Sequence, residues 1–312
     1  MDTHRNLGMA AAASLALLLA ACGDATDPSP APAPTHDLVF EGVLDSVPEL
    51  LILDSDTGDV RRLLPEGMIV TDPQPSPDGA RLAFVVADLD DGVGDIFIVN
   101  RDGTGLQQLT FDAELDDQPT WAPGGDRLAF RSYRTGRDGD IWLMDDDGGN
   151  LVNLTPDPLP GITDERHPAW SPDGARIAYI STAGGNMDLW TMAADGSDKR
   201  RLVTTMDLEA EPGWSPDGAT IAYRYSSNAT GSDIHLIAAN GGAPVPVTLA
   251  GDQRMPTWTP DGLRLVFVNQ ATPFARPDIH TSRLDGSDLR PLVTDAVPGG
   301  STNPAYLKRF PR

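Results

Sequence analysis

The chain has 312 residues, with 46 acidic against 23 basic side chains and a formal net charge of −23. A body this acidic repels phosphate backbones, which excludes nucleic acid as a partner, and it attracts basic patches, cationic peptides and divalent ions. Its single cysteine excludes an internal disulfide.

From the N-terminus, His4 and Arg5 precede an apolar run from Leu7 to Ala21. At about 15 residues this has the length of a signal-peptide h-region and is short for a bilayer span. The run ends in Leu19-Ala20-Ala21-Cys22, which resembles a bacterial lipoprotein signal box. That resemblance implies a signal peptide over residues 1–21, cleavage before Cys22 and acylation of Cys22. An ordinary cleaved signal with an incidental cysteine is the plainer alternative. Residues 22–36 carry alternating prolines, as in Pro28-Ser29-Pro30-Ala31-Pro32-Ala33-Pro34. Prolines so placed cannot pair in a sheet and favour an extended, semi-rigid tether. The expected location is the bacterial cell envelope: lipid-anchored on the periplasmic side of the inner or outer membrane, or at the cell surface.

Beyond the tether one phrase recurs. Asp37-Leu38-Val39-Phe40 and Pro48–Leu53 read as strands with no tryptophan strand before them, and PQPSPDGARLAFVV with GDIFIVNRDGTGLQQLT follows. Then come QPTWAPGGDRLAFRS with GDIWLMDDDGGNLVNLT, and HPAWSPDGARIAYIS with NMDLWTMAADGSDKRRLVT. EPGWSPDGATIAYRY with SDIHLIAANGG and MPTWTPDGLRLVFVN with PDIHTSRLDGSDLRPLVT complete the series, and Asn303-Pro304-Ala305-Tyr306-Leu307 reads as an opening strand with nothing after it. The aromatics Phe84, Phe130, Tyr179, Tyr223 and Phe267 fall about 44–49 residues apart, the period of β-propeller blades. β-Branched and aromatic runs bounded by Gly, Pro and Asp predict short strands, and the Asp-Gly pairs predict tight reversals. One small meander cannot bury both faces, so copies must stack, with Trp121, Trp170, Trp214 and Trp258 packed between blades rather than forming a ligand ladder. The predicted fold is all-β: a six-bladed propeller over residues 37–312, closed by pairing the N- and C-terminal strands in one blade, which removes two sheet edges.

The segments HPAWSPDGARIAYIS, EPGWSPDGATIAYRY and MPTWTPDGLRLVFVN resemble the WD-like repeat of the TolB family of β-propellers. The resemblance covers nearly all of the chain from Asp37 onward. It implies a TolB-like propeller; together with the signal box, the expectation is a monomeric lipoprotein that binds or scaffolds an envelope protein or a peptidoglycan-associated lipoprotein, without chemistry of its own. The α/β domain that this family carries ahead of its propeller has no counterpart among the residues before Asp37.

The Pro-Asp-Gly turns are nearly uniform, so the face they build reads as structural, while the opposite face varies. Residues just ahead of each innermost strand should ring the channel mouth. Asp117, Glu165, Arg166, His167, Glu209, Glu211 and Arg254 are the binding candidates there; simple solvated loops are the bland alternative. Asp88, Asp90 and Asp95 place carboxylates around glycines and form a candidate calcium loop, without the closing Glu of an EF-hand. Among the histidines, His235 and His280 share a repeat position with Trp142 and Trp190 and read as strand fillers. The sequence holds no Gly-x-Ser-x-Gly elbow, paired-histidine zinc signature or phosphate loop. The competing class is a propeller lyase or glycoside hydrolase acting on polysaccharide, with Asp117, Glu165 and Glu209 as acid and base.

Overall fold

The computed structural model describes residues 38–44, 47–54, 59–87, 93–156, 163–227, 231–272, 277–293 and 301–306. The signal segment, Cys22, the tether, Asp88 and Asp90 lie outside them. Six four-stranded antiparallel sheets are present among the described residues, arranged as the blades of a propeller. Blade 1 joins the last strand, Ser301–Tyr306, to Leu38–Leu44, Val47–Leu53 and Val60–Arg62. Blades 2 to 6 follow in chain order. Their innermost strands are Ile69–Pro75, Asp116–Trp121, Glu165–Trp170, Leu208–Trp214 and Asp252–Trp258.

Each blade is a meander because the sequence turns it at fixed points. In blade 4 the Ser171 hydroxyl donates to Asp173 Oδ1 at 2.6 Å and accepts the Arg176 N–H at 2.9 Å, while Asp173 Oδ1 accepts the Ala175 N–H at 3.0 Å. Gly174 sits in the left-handed region at φ +71°, where a β-carbon would be strained. Ser76 with Asp78, Ser215 with Asp217 and Thr259 with Asp261 repeat the arrangement. Blade 3 has Ala122-Pro123-Gly124-Gly125 instead and reverses there on backbone bonds and glycine alone.

The core lies between blades. Trp121 packs with Ala83, Ile96 and Ile98 of the preceding blade, Trp170 with Ala129, Ile141 and Leu143, and Trp258 with Ala222, Ile234 and Leu236. The indole N–H groups of Trp121, Trp214 and Trp258 donate to the carbonyls of Gln74, Ala169 and Gly213, one blade back, at 3.0–3.1 Å. The tryptophan series is thus inter-blade packing, and it fixes how neighbouring blades seat. His235 stacks on Tyr225 at 4.3 Å within its own blade, as a strand filler should.

Candidate functional site at the channel mouth

The innermost strands of blades 2 to 6 carry the same irregularity. The register with the second strand slips between Thr71 and Gln74, Asp117 and Thr120, Arg166 and Ala169, Ala210 and Gly213, and Arg254 and Thr257. At each slip the residue before the proline takes a left-handed backbone: Asp72, Gln118, His167, Glu211 and Met255 all have φ of +53° or +54°. Non-glycine residues hold that conformation at a cost of about 1–2 kcal/mol each unless something offsets it. Here the offset is a relay of hydrogen bonds around the axis. The Asp72 N–H donates to Glu41 Oε1 at 2.6 Å, and the Asp72 carboxylate accepts the Gln118 N–H. Gln118 Oε1 accepts the His167 N–H at 2.7 Å, and Glu211 Oε2 accepts the Met255 N–H at 2.6 Å. The imidazole Nδ1 of His167 is buried and makes no hydrogen bond among the described residues. These residues line an axial cavity of about 240 Å³.

The bulge also decides which candidates face the channel. One extra residue reverses the alternation of side chains for everything ahead of it. With that reversal Glu165 and Glu209 share the tryptophan's face of the blade and are only 4% and 0% exposed. The Glu165 carboxylate accepts the Ser181 hydroxyl at 2.6 Å, and Glu209 accepts that of Thr205 at 2.6 Å. Burial raises the Glu209 pKa to about 7. Asp117 is clamped by Arg131, whose Nε and Nη2 donate to its two oxygens, and both side chains are buried. The three carboxylates therefore sit inside the blades in internal bonds, not as an open pair across the channel.

His167 and Glu211 line the axial cavity, and Arg166 lies close to His167. Arg166 pairs with Asp164, and Glu211 with Arg224 at 3.3 Å. The His167 pKa falls to about 3, first because burial penalises its cation and then because Arg131, Arg166 and Arg224 surround it. Its imidazole is neutral at every physiological pH. Arg254 stands apart, exposed, with its guanidinium 3.4 Å from Gln270 Oε1. Asp95 is held by its own blade: Oδ2 accepts Gln108 Nε2 at 2.9 Å and Oδ1 accepts the Thr110 hydroxyl at 3.2 Å. Among the described residues no group of three or more acidic, His or Cys side chains is placed to hold a metal ion.

Asp72, Gln118 and Met255 were not among the sequence candidates, although each precedes the repeat proline just as His167 and Glu211 do. Around the mouth the connections between blades expose Phe111 at 75% and Met206 at 96%. Leu208, which opens the innermost strand of blade 5, is also exposed.

The family model described as the TolB beta propeller domain matches residues 159–304. The Tol-Pal system protein TolB of Anaeromyxobacter dehalogenans (strain 2CP-C) is 31% identical over 113 residues, covering 36% of this chain and 25% of that protein. The uncharacterized peptidase YuxL of Bacillus subtilis (strain 168) is 34% identical over 119 residues, covering 37% of this chain and 18% of that protein. The chain thus spans a quarter or less of the length of these two relatives. The crystal structure of TolB from Acinetobacter baumannii superposes with a TM-score of 0.74 at 20% identity, covering 88% of this chain and 67% of that one.

Proposed function

We propose that this TolB-like propeller is a lipid-anchored protein of the bacterial cell envelope that works as a non-catalytic scaffold, binding a protein partner at the channel mouth. The observation that carries the reading is the mouth itself. Arg166 and Arg224, paired with Asp164 and Glu211, stand near His167 on the axis of a chain whose net charge is −23, and Phe111 and Met206 are exposed on the connections that lead into the innermost strands of blades 3 and 5. Large exposed apolar side chains on a face that also carries guanidinium groups are the composition of interface anchors. Asp117, Glu165 and Glu209 support the same reading, because each carboxylate accepts a hydrogen bond from within its own blade. The Leu7–Cys22 segment supports export and acylation; two or three acyl chains, at about 0.8 kcal/mol per buried methylene, would hold the protein firmly on a membrane. The TolB relatives supply the class of partner, an envelope protein or a peptidoglycan-associated lipoprotein.

A pull-down from detergent-solubilised envelope tests the proposal, using the full chain and the F111S/M206S variant. The expected result is a partner captured by the parent and depleted at least about tenfold by the variant, as loss of two interface anchors predicts. Equal capture by both would place binding elsewhere. Capture by neither, with polysaccharide turnover by the parent, would favour the enzyme class.

A further inference from the structure

Trp214 differs from its repeat mates. Trp121, Trp170 and Trp258 are 6%, 8% and 7% exposed, whereas Trp214 is only half-buried. At two of the other junctions a guanidinium from the preceding blade covers the indole. Arg81 of blade 2 reaches across to blade 3, pairs with Asp146 at 2.9 Å, donates to the Gly125 carbonyl at 2.9 Å and lies 4.7 Å over the Trp121 ring. Arg127 lies 5.9 Å over Trp170. Arg176, the register mate in blade 4, turns back to its own blade, where Nη1 donates to Asp198 Oδ2 at 2.8 Å and Nη2 to the Asp198 carbonyl at 3.0 Å.

Two sequence differences direct that turn. Blade 2 has Gly105 where blade 4 has Asp198, so Arg81 finds no carboxylate at home. Blade 3 has Asp146 where blade 5 has Ala239, so Arg176 finds none across the junction. What remains between blades 4 and 5 is a cleft of about 320 Å³, within the size range of small-ligand sites. It opens on the face of the Pro-Asp-Gly turns, away from the channel mouth.

Trp214 walls the cleft, and Arg176, Arg200, Asp173, Asp217 and Asn240 rim it. The indole is already fixed by its bond to the Ala169 carbonyl at 3.0 Å, so a ligand need not order it. Asp173 and Asp217 each engage Oδ1 within their own turns, and those bonds to Ser171 and Ser215 hold both carboxyls below the usual range, as ionised acceptors. Asp198 pairs with both Arg176 and Arg200, so with Asp173 and Asp217 the surroundings carry three carboxylates against two guanidiniums, a slight negative excess. A flat apolar wall ringed by donors and acceptors suits a ligand with an apolar ring face and hydroxyl groups at its edge. A phosphate ester or an acidic peptide would meet net repulsion.

We infer that this cleft binds a short uncharged saccharide, one pyranose ring lying against Trp214 and its hydroxyls shared among Asp173, Asp217, Arg200 and Asn240. The cleft opens on the face opposite the channel mouth, and Trp214 borders both it and the axial cavity.

The full-length protein is titrated with N-acetylglucosamine tetrasaccharide and with cellotetraose, followed by calorimetry and tryptophan fluorescence. The D198G/A239D variant copies blades 2 and 3, releasing Arg176 and giving it a carboxylate across the junction; Asp198 has φ +49°, which glycine accepts. The R200A/N240A variant leaves the junction intact and removes two rim groups. At least one sugar should bind the parent at millimolar concentrations or below, and each variant should bind it about tenfold more weakly or worse, the scale of one lost aromatic stack or of two hydrogen bonds. If D198G/A239D fails to fold, R200A/N240A decides alone. No binding of either sugar by the parent, or unchanged affinity in the folded variants, overturns the assignment.

Discussion

Asp72 shows how one residue can be set by its blade and still report on the whole ring. Burial, with Glu41 and Asp117 nearby, raises its pKa from 3.8 to about 7. The folded protein therefore keeps a proton that the unfolded chain releases between about pH 4 and 7, and the stability this contributes at low pH is lost as pH rises through that window. Asp72→Asn keeps the acceptor for the Gln118 N–H, tolerates φ +53° and carries no charge. It should raise stability at pH 8 by on the order of 1–3 kcal/mol and make no difference near pH 4, read from melting curves across that range. Parallel pH profiles for the two proteins would contradict the burial argument. At the turns, Ser76 is 3% exposed and bonded to both Asp78 and the Arg81 N–H. Ser76→Ala should cost about 1 kcal/mol in a denaturant titration. This turn chemistry was legible, because Ser-Pro-Asp-Gly names its own hydrogen bonds. The left-handed ring was not, since a pre-proline residue favours extended backbone and what holds these residues at positive φ comes from the neighbouring blade.

At the scale of a strand, the bulge in the innermost strands of blades 2 to 6 sets which candidate residues line the axial cavity. Strand alternation is legible from the pattern of apolar residues, and it placed Trp121, Trp170 and Trp258 correctly between blades. A single inserted residue reverses that alternation upstream, so Glu165 and Glu209 enter the blade interior while His167 and Glu211 line the axial cavity. Asp117 and Arg131 close the same stretch in blade 3 as a buried pair, 8% exposed on each side. Arg131→Ala leaves a buried carboxylate without its partner and should cost about 3–5 kcal/mol, most of which the D117A/R131A double variant should restore. A double-mutant cycle by chemical denaturation measures this; additive losses would mean that the pair does not act as a unit.

For the whole molecule, the last strand is as consequential as any blade. Ser301–Tyr306 pairs antiparallel with Leu38–Leu44, so the first and last described strands share one sheet. Ending the chain at residue 300 removes the innermost strand of blade 1 and exposes edges on both sides of the gap. The truncated protein should lose its single cooperative melting transition and aggregate, as light scattering during heating would record; an unaltered melt would show that the ring does not depend on this strand. Blade number and closure were legible because repeats can be counted, whereas the identity of a binding face depends on how six loops meet around an axis. The most direct test of the proposed function places a photo-crosslinking amino acid at Phe111 on the mouth, and separately at Leu263 on the Pro-Asp-Gly face, both exposed, and irradiates intact cells expressing the full chain. The account predicts discrete protein adducts from position 111 and none from position 263. Adducts from 263 alone, or equally from both, would contradict the mouth as the partner-binding surface.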